Sequence, residues 1–229
     1  MNIYLKSSHN NQELDKSSSF IGGKPLLPNN IVVPECKLCG QEQTFFLQIA
    51  FPESHKWFEQ SLAIFSCTSC ADENYLIPEM LSIELYNANI PSGFLESYQR
   101  NFSLLVFDTN TCVIKQGYVE KIKYKPAYLS FNDEQDILLG KMNNTPNWLI
   151  EDESPNKYDD KYEFNFLFQL NSGLEFNLVD NAPRQIEIDI MGMPSDSPYK
   201  YYQLFIGNEL YLFGVEDYKQ LLVYAITQI

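Results

Sequence analysis

Long apolar runs, basic residues and catalytic signatures are all scarce in this sequence of 229 residues. No stretch approaches the roughly 20 apolar residues that a membrane-spanning helix requires, so we expect no membrane partner. The first twenty residues also lack the basic-then-apolar order of a secretory signal. These absences predict a cytoplasmic protein whose five cysteines are thiols or metal ligands rather than disulfides.

Basic residues are outnumbered almost two to one. Sixteen Lys and Arg stand against thirty Asp and Glu, which gives a net charge of −14, and only Arg100 and Arg184 are arginines. Phosphate recognition depends on basic clusters and bidentate arginines, so nucleic acid is not an expected partner. An acidic surface attracts basic proteins, and we expect one as partner. The alternative is that the charge serves only solubility.

Catalytic signatures are missing as well. The chain contains no GxSxG, P-loop, GxGxxG or HExxH motif. Its two histidines, His9 and His55, form no recognisable catalytic arrangement with Cys112, which lies in an apolar segment suited to packing. We therefore expect a protein that is not an enzyme.

The cysteines carry the clearest signal in the sequence. Cys36-Lys37-Leu38-Cys39-Gly40 is a CxxC knuckle whose glycine permits a tight turn, and Cys67-Thr68-Ser69-Cys70 repeats the spacing. Two CxxC pairs are the ligand set of a closed, tetrahedral zinc site. A redox motif uses one pair, and a catalytic zinc needs an open position, so both alternatives are disfavoured. The sequence predicts a structural Zn²⁺ bound by Cys36, Cys39, Cys67 and Cys70.

The hydrophobic pattern between and beyond the cysteines is mostly strand-like. It predicts an α+β fold that is mainly antiparallel β, with strands at Thr44–Phe51 and Leu62–Phe65 that return the second knuckle to the first. We also expect a hairpin that joins Ser103–Phe107 to Cys112–Ile114, and an edge or bulged strand over Lys121–Phe131 because of Pro126. Further strands are expected at Glu163–Leu170, Ile186–Ile190, Tyr201–Phe205 and Glu209–Phe213. The i, i+4 spacing of apolar residues predicts a closing helix over Val215–Ile226.

Two stretches of the chain are alike. A glycine turn and a Pro-containing loop lead to Phe46-Leu47-Gln48-Ile49, and again, after Gly140, to Leu167-Phe168-Gln169-Leu170. The repetition predicts two pseudo-duplicated sheet modules. We expect a polar N-terminal segment (1–19), a zinc-braced β module (20–135) and a second β-rich module with a C-terminal helix (136–229). The two modules can also form one compact domain.

Acidic residues are concentrated towards the end of the chain. Residues 151–229 carry fourteen acids and five bases, against sixteen and eleven for residues 1–150. Five of the acids lie in one Pro-containing stretch and form the predicted partner-binding set: Glu151, Asp152, Glu153, Asp159 and Asp160. Tyr158 and Tyr162 are the expected apolar anchors beside them. A loop that is only solvated is the alternative.

The order of motifs in residues 20 to 70 resembles a known family. Gly22-Gly23-Lys24-Pro25, the Cys36 knuckle, Phe46-Leu47-Gln48-Ile49 and the second cysteine pair look like the N-terminal part of the programmed-cell-death-protein-2 family, which includes a yeast ribosome-assembly chaperone. The second half resembles the bacterial YwqG-like family, a related duplicated β-rich fold. These resemblances imply a protein-binding module in which zinc braces one sheet edge, and they do not imply an enzyme.

Three hypotheses about function follow. The first is a toxin-neutralising immunity protein that sequesters a basic toxin domain through charge complementarity. The second is a dedicated ribosomal-protein chaperone, which has the same charge logic and the resemblance in its favour. The third is an enzyme that uses the acidic residues, against which only the missing motifs argue.

Overall fold

The computed structural model describes residues 3–7, 15–81, 83–130, 137–142, 145–217 and 219–229. Strands dominate these residues, and the one α-helix, α1, spans only Phe94–Ser97. The strands are β1 (Ile3–Ser7), β2 (Ser19–Ile21), β3 (Leu26–Pro28), β4 (Thr44–Ala50), β5 (Gln60–Ser66), β6 (Asn89–Ile90), β7 (Phe102–Asp108), β8 (Cys112–Ile114), β9 (Lys125–Ser130), β10 (Ile137–Met142), β11 (Lys157–Tyr158), β12 (Tyr162–Glu163), β13 (Asn165–Leu170), β14 (Phe176–Asn177), β15 (Ile186–Ile188), β16 (Pro194–Asp196), β17 (Tyr201–Tyr202), β18 (Glu209–Glu216) and β19 (Leu221–Gln228). Short 3₁₀ turns occupy Glu73–Tyr75, Thr109–Thr111 and Leu204–Gly207.

Ten strands form one antiparallel sheet in the order β19-β18-β13-β10-β1-β9-β2-β4-β5-β7. The order is symmetrical about the central pair β1 and β9. Moving outward, each side has a glycine-associated strand (β10 or β2), a strand with a buried glutamine (β13 or β4) and two more strands. The prediction of a mainly antiparallel β-fold is therefore confirmed, whereas helix is reduced to one turn.

The main hydrophobic core draws on strands from both predicted modules. Phe46 and Ile64 of the first and Phe168 and Tyr211 of the second belong to the same buried cluster. A smaller cluster around Phe20, Phe45, Phe65 and Cys112 covers the other face of the sheet at β2, β4 and β5. The predicted module boundary between residues 135 and 136 lies outside the described residues. Strands on either side of it share one sheet and one core.

The predicted C-terminal helix over Val215–Ile226 is wrong. The segment forms the β18–β19 hairpin, which turns at Asp217, where the carboxylate accepts hydrogen bonds from the amides of Lys219 and Gln220. Seven of the eight residues of β19 are buried. Because a strand covered on both faces is apolar at nearly every position, it also satisfies an i, i+4 pattern, and periodicity alone misassigned it.

The predicted hairpin between Ser103–Phe107 and Cys112–Ile114 is also wrong. Both segments are strands, but β7 pairs with β5, and β8 pairs with β3. Asp108 separates them: its carboxylate accepts a hydrogen bond of 2.8 Å from the amide of Asn110 and begins a 3₁₀ turn. This turn sends β8 out of the main sheet to cover the smaller core.

The predicted edge or bulged position of Lys121–Phe131 is wrong for β9. This strand lies in the middle of the sheet between β1 and β2, and Pro126 pairs with Phe20. The described part of β1 ends at Ser7, opposite Ala127. Pro126 therefore has a neighbouring strand on one side only among the described residues, which is how a central strand accommodates a residue without an N–H group.

No helix among the described residues is long and apolar enough to cross a membrane.

Candidate metal centre

The two CxxC motifs converge at one end of the β4–β5 hairpin. The Sγ atoms of Cys36 and Cys70 are 3.8 Å apart, those of Cys39 and Cys67 are 3.7 Å apart, and those of Cys67 and Cys70 are 3.5 Å apart. All four sulfur atoms lie within 4.8 Å of one another. The structure thus brings together the four predicted ligands, and the antiparallel pairing of Thr44 with Ser66 is what returns the second motif to the first.

Backbone hydrogen bonds shape the first knuckle. The amide of Cys36 donates to the carbonyl of Gln41, and the amide of Gly40 donates to the carbonyl of Cys36, both at 2.8 Å. Gly40 has a φ of +73°, a left-handed conformation that glycine adopts without steric cost. The sequence CxxCG therefore gives a turn in which Cys36 is buried and Cys39 faces the surface.

The second knuckle is attached to three other segments of the chain. The amide of Cys67 donates to the carbonyl of Asn101 at 2.7 Å, and the amide of Ser69 lies 3.4 Å from the Sγ of Cys67. The hydroxyls of Thr68 and Thr44 are 2.7 Å apart and buried, and the carbonyl of Thr68 accepts from the amide of Ile186 at 3.0 Å. The knuckle is thus bonded to β4, to the residue before β7 and to the distant β15.

The spacing of the sulfur atoms fits a tetrahedral metal ion. A Zn–S bond of ~2.3 Å places the sulfurs of a regular tetrahedron about 3.8 Å apart. The three Sγ–Sγ separations given above, 3.5 to 3.8 Å, agree with that value. Four cysteine sulfurs around one ion would close its coordination shell, and a closed shell has no position for a substrate or an activated water.

The thiols have different acidities in the absence of an ion. Burial raises the pKa of Cys67 to about 11 and raises that of Cys70 further. At Cys39 burial opposes ionisation, but hydrogen bonds from the Gln41 amide and from the neighbouring thiols lower the pKa. A bound cation removes the burial penalty, because a coordinating thiol is deprotonated outright.

Cys112 and His55 do not form a reactive pair. Cys112 is buried in the smaller core, its thiol lies 3.5 Å from the carbonyl of Asp108, and burial raises its pKa to about 11. His55 stacks on Phe51, whose side chain belongs to the main core, and its Nδ1 accepts a hydrogen bond of 3.0 Å from the amide of Trp57. Each side chain therefore has a structural environment of its own. His9 lies outside the described residues.

The predicted partner-binding acids fall into two groups. Glu151, Asp152 and Glu153 lie on an irregular segment before β11, whereas Asp159 and Asp160 form the turn between β11 and β12. Of the five, Glu151, Asp152 and Asp160 are exposed and Glu153 and Asp159 are partly buried. The stretch is therefore a docked segment rather than one free loop.

Some of these carboxylates already have partners. Asp159 forms an ion pair of 3.0 Å with Lys161, and Oδ1 of Asp160 accepts from Asn89 at 2.6 Å. The carboxylate of Glu153 accepts from the side-chain Nε2 of Gln228 at 2.8 Å. Asp152 accepts from the backbone amide of Ser154 at 2.8 Å, and Glu151, Asp152 and Asp160 are the exposed carboxylates of the set.

Tyr158 is not the surface anchor that the sequence predicted. Its side chain is buried, and its hydroxyl donates to the carboxylate of Glu96 and accepts from the amide of Gly93 at 2.9 Å. Tyr162 is partly buried and packs against the main core. Both rings therefore serve the fold.

Sequence reasoning missed the residue that holds the acidic segment in place. Gln228, near the end of β19, accepts from the amides of Leu149 and Ile150 at 3.1 Å, and its Nε2 donates to the carbonyl of Glu151 at 2.8 Å. The available signal was a glutamine at the end of an apolar run. Because it lies just beyond the predicted helix over Val215–Ile226, it indicated no contact with residues so far away.

No protein-family model matches this chain, and a search of curated proteins found no match. The resemblances drawn from the motifs of residues 20 to 70 and of the second half therefore stay predictions.

Proposed function

We propose that this protein is a non-enzymatic binding protein that sequesters a basic protein partner, and that it acts as an immunity protein neutralising a basic toxin domain. The observation that carries the proposal is an exposed apolar pair beside exposed acids, Leu149 and Ile150 next to Glu151 and Asp152. A surface that combines apolar contact area with carboxylates suits a partner rich in lysine and arginine.

The segment that carries these residues is held rigidly. Leu149 is 52% exposed and Ile150 is 70% exposed, yet both backbone amides donate to the Oε1 of Gln228. The amide of Leu149 also donates to the hydroxyl of Tyr211 at 3.0 Å. A preorganised segment loses little conformational entropy on association, so its exposed side chains contribute more of their contact energy to affinity.

The metal of the four-cysteine site is proposed to be zinc in a structural role. Four sulfur donors at tetrahedral spacing suit Zn²⁺, and the ion would fix two otherwise separate loops at the end of β4 and β5. The proposal that the protein is no enzyme is supported by this closed ligand set and by the packed environments of Cys112 and His55.

The symmetrical strand order supports an internal duplication of the sheet. Gln48 on β4 and Gln169 on β13 occupy corresponding strands on either side of the central pair β1 and β9. The two copies would then differ in that only the first acquired the cysteine knuckles.

A ribosomal-protein chaperone is the second candidate function. It is favoured by the convergence of Cys36, Cys39, Cys67 and Cys70, since these residues belong to the motif order that resembles a chaperone-containing family. Both candidates require a basic partner, and the identity of that partner separates them.

The first experiment identifies the partner and then tests the acidic segment. Tagged protein is purified from its native cell with its bound proteins, and the partner is identified by mass spectrometry. The triple variant Glu151→Gln, Asp152→Asn, Asp160→Asn should associate with it about tenfold more slowly at low salt, and the difference should shrink as salt rises.

The matched control removes three exposed acids elsewhere: Glu53→Gln, Glu73→Gln and Glu84→Gln. It changes the net charge equally, so an equal slowing in both variants would show that only overall charge matters. An acidic or neutral partner, or an unchanged association rate, would contradict the proposal. A toxin whose lethality the protein suppresses supports immunity, whereas a ribosomal protein supports the chaperone.

A further inference from the structure

A second surface of the molecule combines apolar and acidic side chains more sharply than the acidic segment does. The hairpin of β15 and β16, residues 186–196, extends beside the metal centre and pairs with no other strand among the described residues. At its tip, Ile190 is 101% exposed, Met191 is 82% exposed and Met193 is 62% exposed. Large apolar side chains grouped in one exposed turn are typical of an interaction site.

The tip is ordered by hydrogen bonds around one carboxylate. Oδ1 of Asp189 accepts from the amides of Met191 and Met193 at 2.8 and 2.9 Å, and the amide of Asp189 donates to the carbonyl of Met193 at 2.8 Å. Gly192 completes the turn with a φ of +78°. The apolar side chains are thus presented to solvent by a fixed backbone.

The charge of the hairpin identifies the chemistry of what it binds. Residues 185–199 contain three acids, Glu187, Asp189 and Asp196, and neither lysine nor arginine. Methionine side chains adapt their shape to a partner surface, and carboxylates beside them favour lysine and arginine. The hairpin therefore complements an apolar recess bordered by basic residues.

The base of the hairpin is joined to the metal centre. The amide of Ile186 donates to the carbonyl of Thr68, which lies between Cys67 and Cys70. The side chain of Gln185 accepts from the amide of Gln203 at 2.8 Å. An ion that fixes the second knuckle would also fix the position of the hairpin.

We infer that the β15–β16 hairpin is a docking arm, whose tip of Ile190, Met191 and Met193 inserts into an apolar recess of a basic protein while its carboxylates contact the basic residues around it. The inference rests on the proposed function, because it assigns a surface to the same class of partner. It adds a second contact, tied to the metal centre, to the acidic segment near Gln228.

The test uses a synthetic peptide of alternating leucine and lysine as probe, and a serine–lysine peptide of equal charge as its control. Methionine methyl groups are labelled with carbon-13, and their NMR signals are followed during titration. Met191 and Met193 should shift with the leucine–lysine peptide, whereas the buried Met142 should not. The serine–lysine peptide should bind at least about tenfold more weakly.

The matching variant is Ile190→Ser, Met191→Ser, Met193→Ser, which removes only exposed apolar surface. It should weaken the leucine–lysine peptide about tenfold or more, whereas Val32→Ser with Val119→Ser, which are also exposed, should leave affinity unchanged. An unaltered Met142 signal in the variant shows that the fold is intact.

Equal affinity of the tip variant, or methyl signals of Met191 and Met193 that do not move, would overturn the docking arm. So would a wild-type protein that binds the two lysine peptides equally or not at all. The proposed function is decided separately, by the natural partner and the acidic-segment variant. A failed arm with a basic natural partner therefore leaves the proposed function standing.

Discussion

The loops on the two sides of the symmetrical sheet are held in place by different chemistry. Near β4 and β5, four cysteine sulfurs within 4.8 Å of one another gather two knuckles. Near β13 and β18, side-chain amides do the same work: Gln169 accepts from the amide of Asn147 at 2.9 Å and donates to its carbonyl at 3.2 Å. Gln228 holds the next residues of that segment.

The difference follows from what each loop can bury. Ile31 and Val33 pack against the smaller core, but in the knuckle itself, residues 36–42, only Cys36 is buried, so the knuckle gains little from the hydrophobic core. The opposite segment places Trp148 against Tyr211, with ring centroids 4.2 Å apart. The loop that carries Trp148 has an apolar contact, so hydrogen bonds are enough to fix it. The exposed cysteine knuckle would need the stronger bonds of the proposed metal ion.

The largest predicted effect on stability comes from disrupting the four-cysteine cluster near β4 and β5. Cys39→Ser, or removal of metal with a chelator, should lower Tm by about 10 °C or more, because binding energy of a structural ion is folding energy. Hydrogen exchange should accelerate first in the segments around the two knuckles and in β15, while β18 and β19 stay protected.

Cys112→Ala is the matched control for that experiment. It removes a buried thiol outside the cluster and should retain about one zinc per chain by elemental analysis. Wild-type protein prepared without chelator that contains no metal, or a Cys39→Ser variant with unchanged Tm, would refute the metal-held loop.

An intermediate effect should separate the corresponding glutamines Gln48 and Gln169. Gln169→Leu removes the side-chain hydrogen bonds to the backbone of Asn147 and to Oε1 of Glu209, and should cost about 2–3 kcal/mol. Gln48 is fully buried, and neither polar atom of its amide has a hydrogen-bond partner among the described residues. Gln48→Leu should therefore be neutral or stabilise the protein by about 1 kcal/mol.

Urea unfolding of the two variants measures this contrast, with unchanged m-values as the check that both remain two-state. Equal losses of stability would mean that Gln48 and Gln169 contribute equally to folding. The contrast between the two sides of the sheet would then depend on the proposed metal ion alone.

The smallest effect concerns the turn that carries His55 and Trp57, which lies on the side of the sheet with the cysteine cluster and packs against the other side. Burial lowers the pKa of His55 to about 4, so the folded ring stays neutral where an unfolded histidine, with a pKa of about 6.5, binds a proton. Stability from this source is complete above pH 6.5 and is lost as pH falls towards 4. Trp57, two residues on, touches Gly214 of β18.

Comparing urea midpoints at about pH 7 and 5 tests this prediction. Wild-type protein should lose more stability on acidification than His55→Gln, in which a side-chain oxygen can still accept from Trp57. An identical pH dependence would show that the histidine ring titrates normally in the folded protein.

The sequence predicted the parts of this molecule whose physical signal is local. CxxCG specifies its own turn, and alternating aromatic and β-branched residues specify β4 and β5, so the four-cysteine cluster was accessible without coordinates. Strand partners were not accessible. The pairing of β8 with β3 and the central place of β9 depend on contacts distant in sequence, which no local pattern encodes.

The same limit explains the wrong placement of Tyr158. The composition of its acidic stretch indicated an exposed loop, but Gln228 and the burial of Tyr158 dock this stretch against strands distant in sequence. The exposure of Ile190 and Met191 could not be predicted for the same reason. Apolar residues in or beside a short strand predict burial, and only the sheet topology shows that their hairpin pairs with no other described strand.

The central place of β1 has a consequence for the order of events during synthesis. Ile3 pairs with Met142 and Tyr4 pairs with Ser130, so β1 is made long before β9 and β10, its two partner strands among the described residues. Contacts so distant in sequence slow folding, because a long loop must close before they form. Strands β2, β4, β5 and β7 can pair with one another meanwhile, and β1 would then join the two sides of the sheet as a late step.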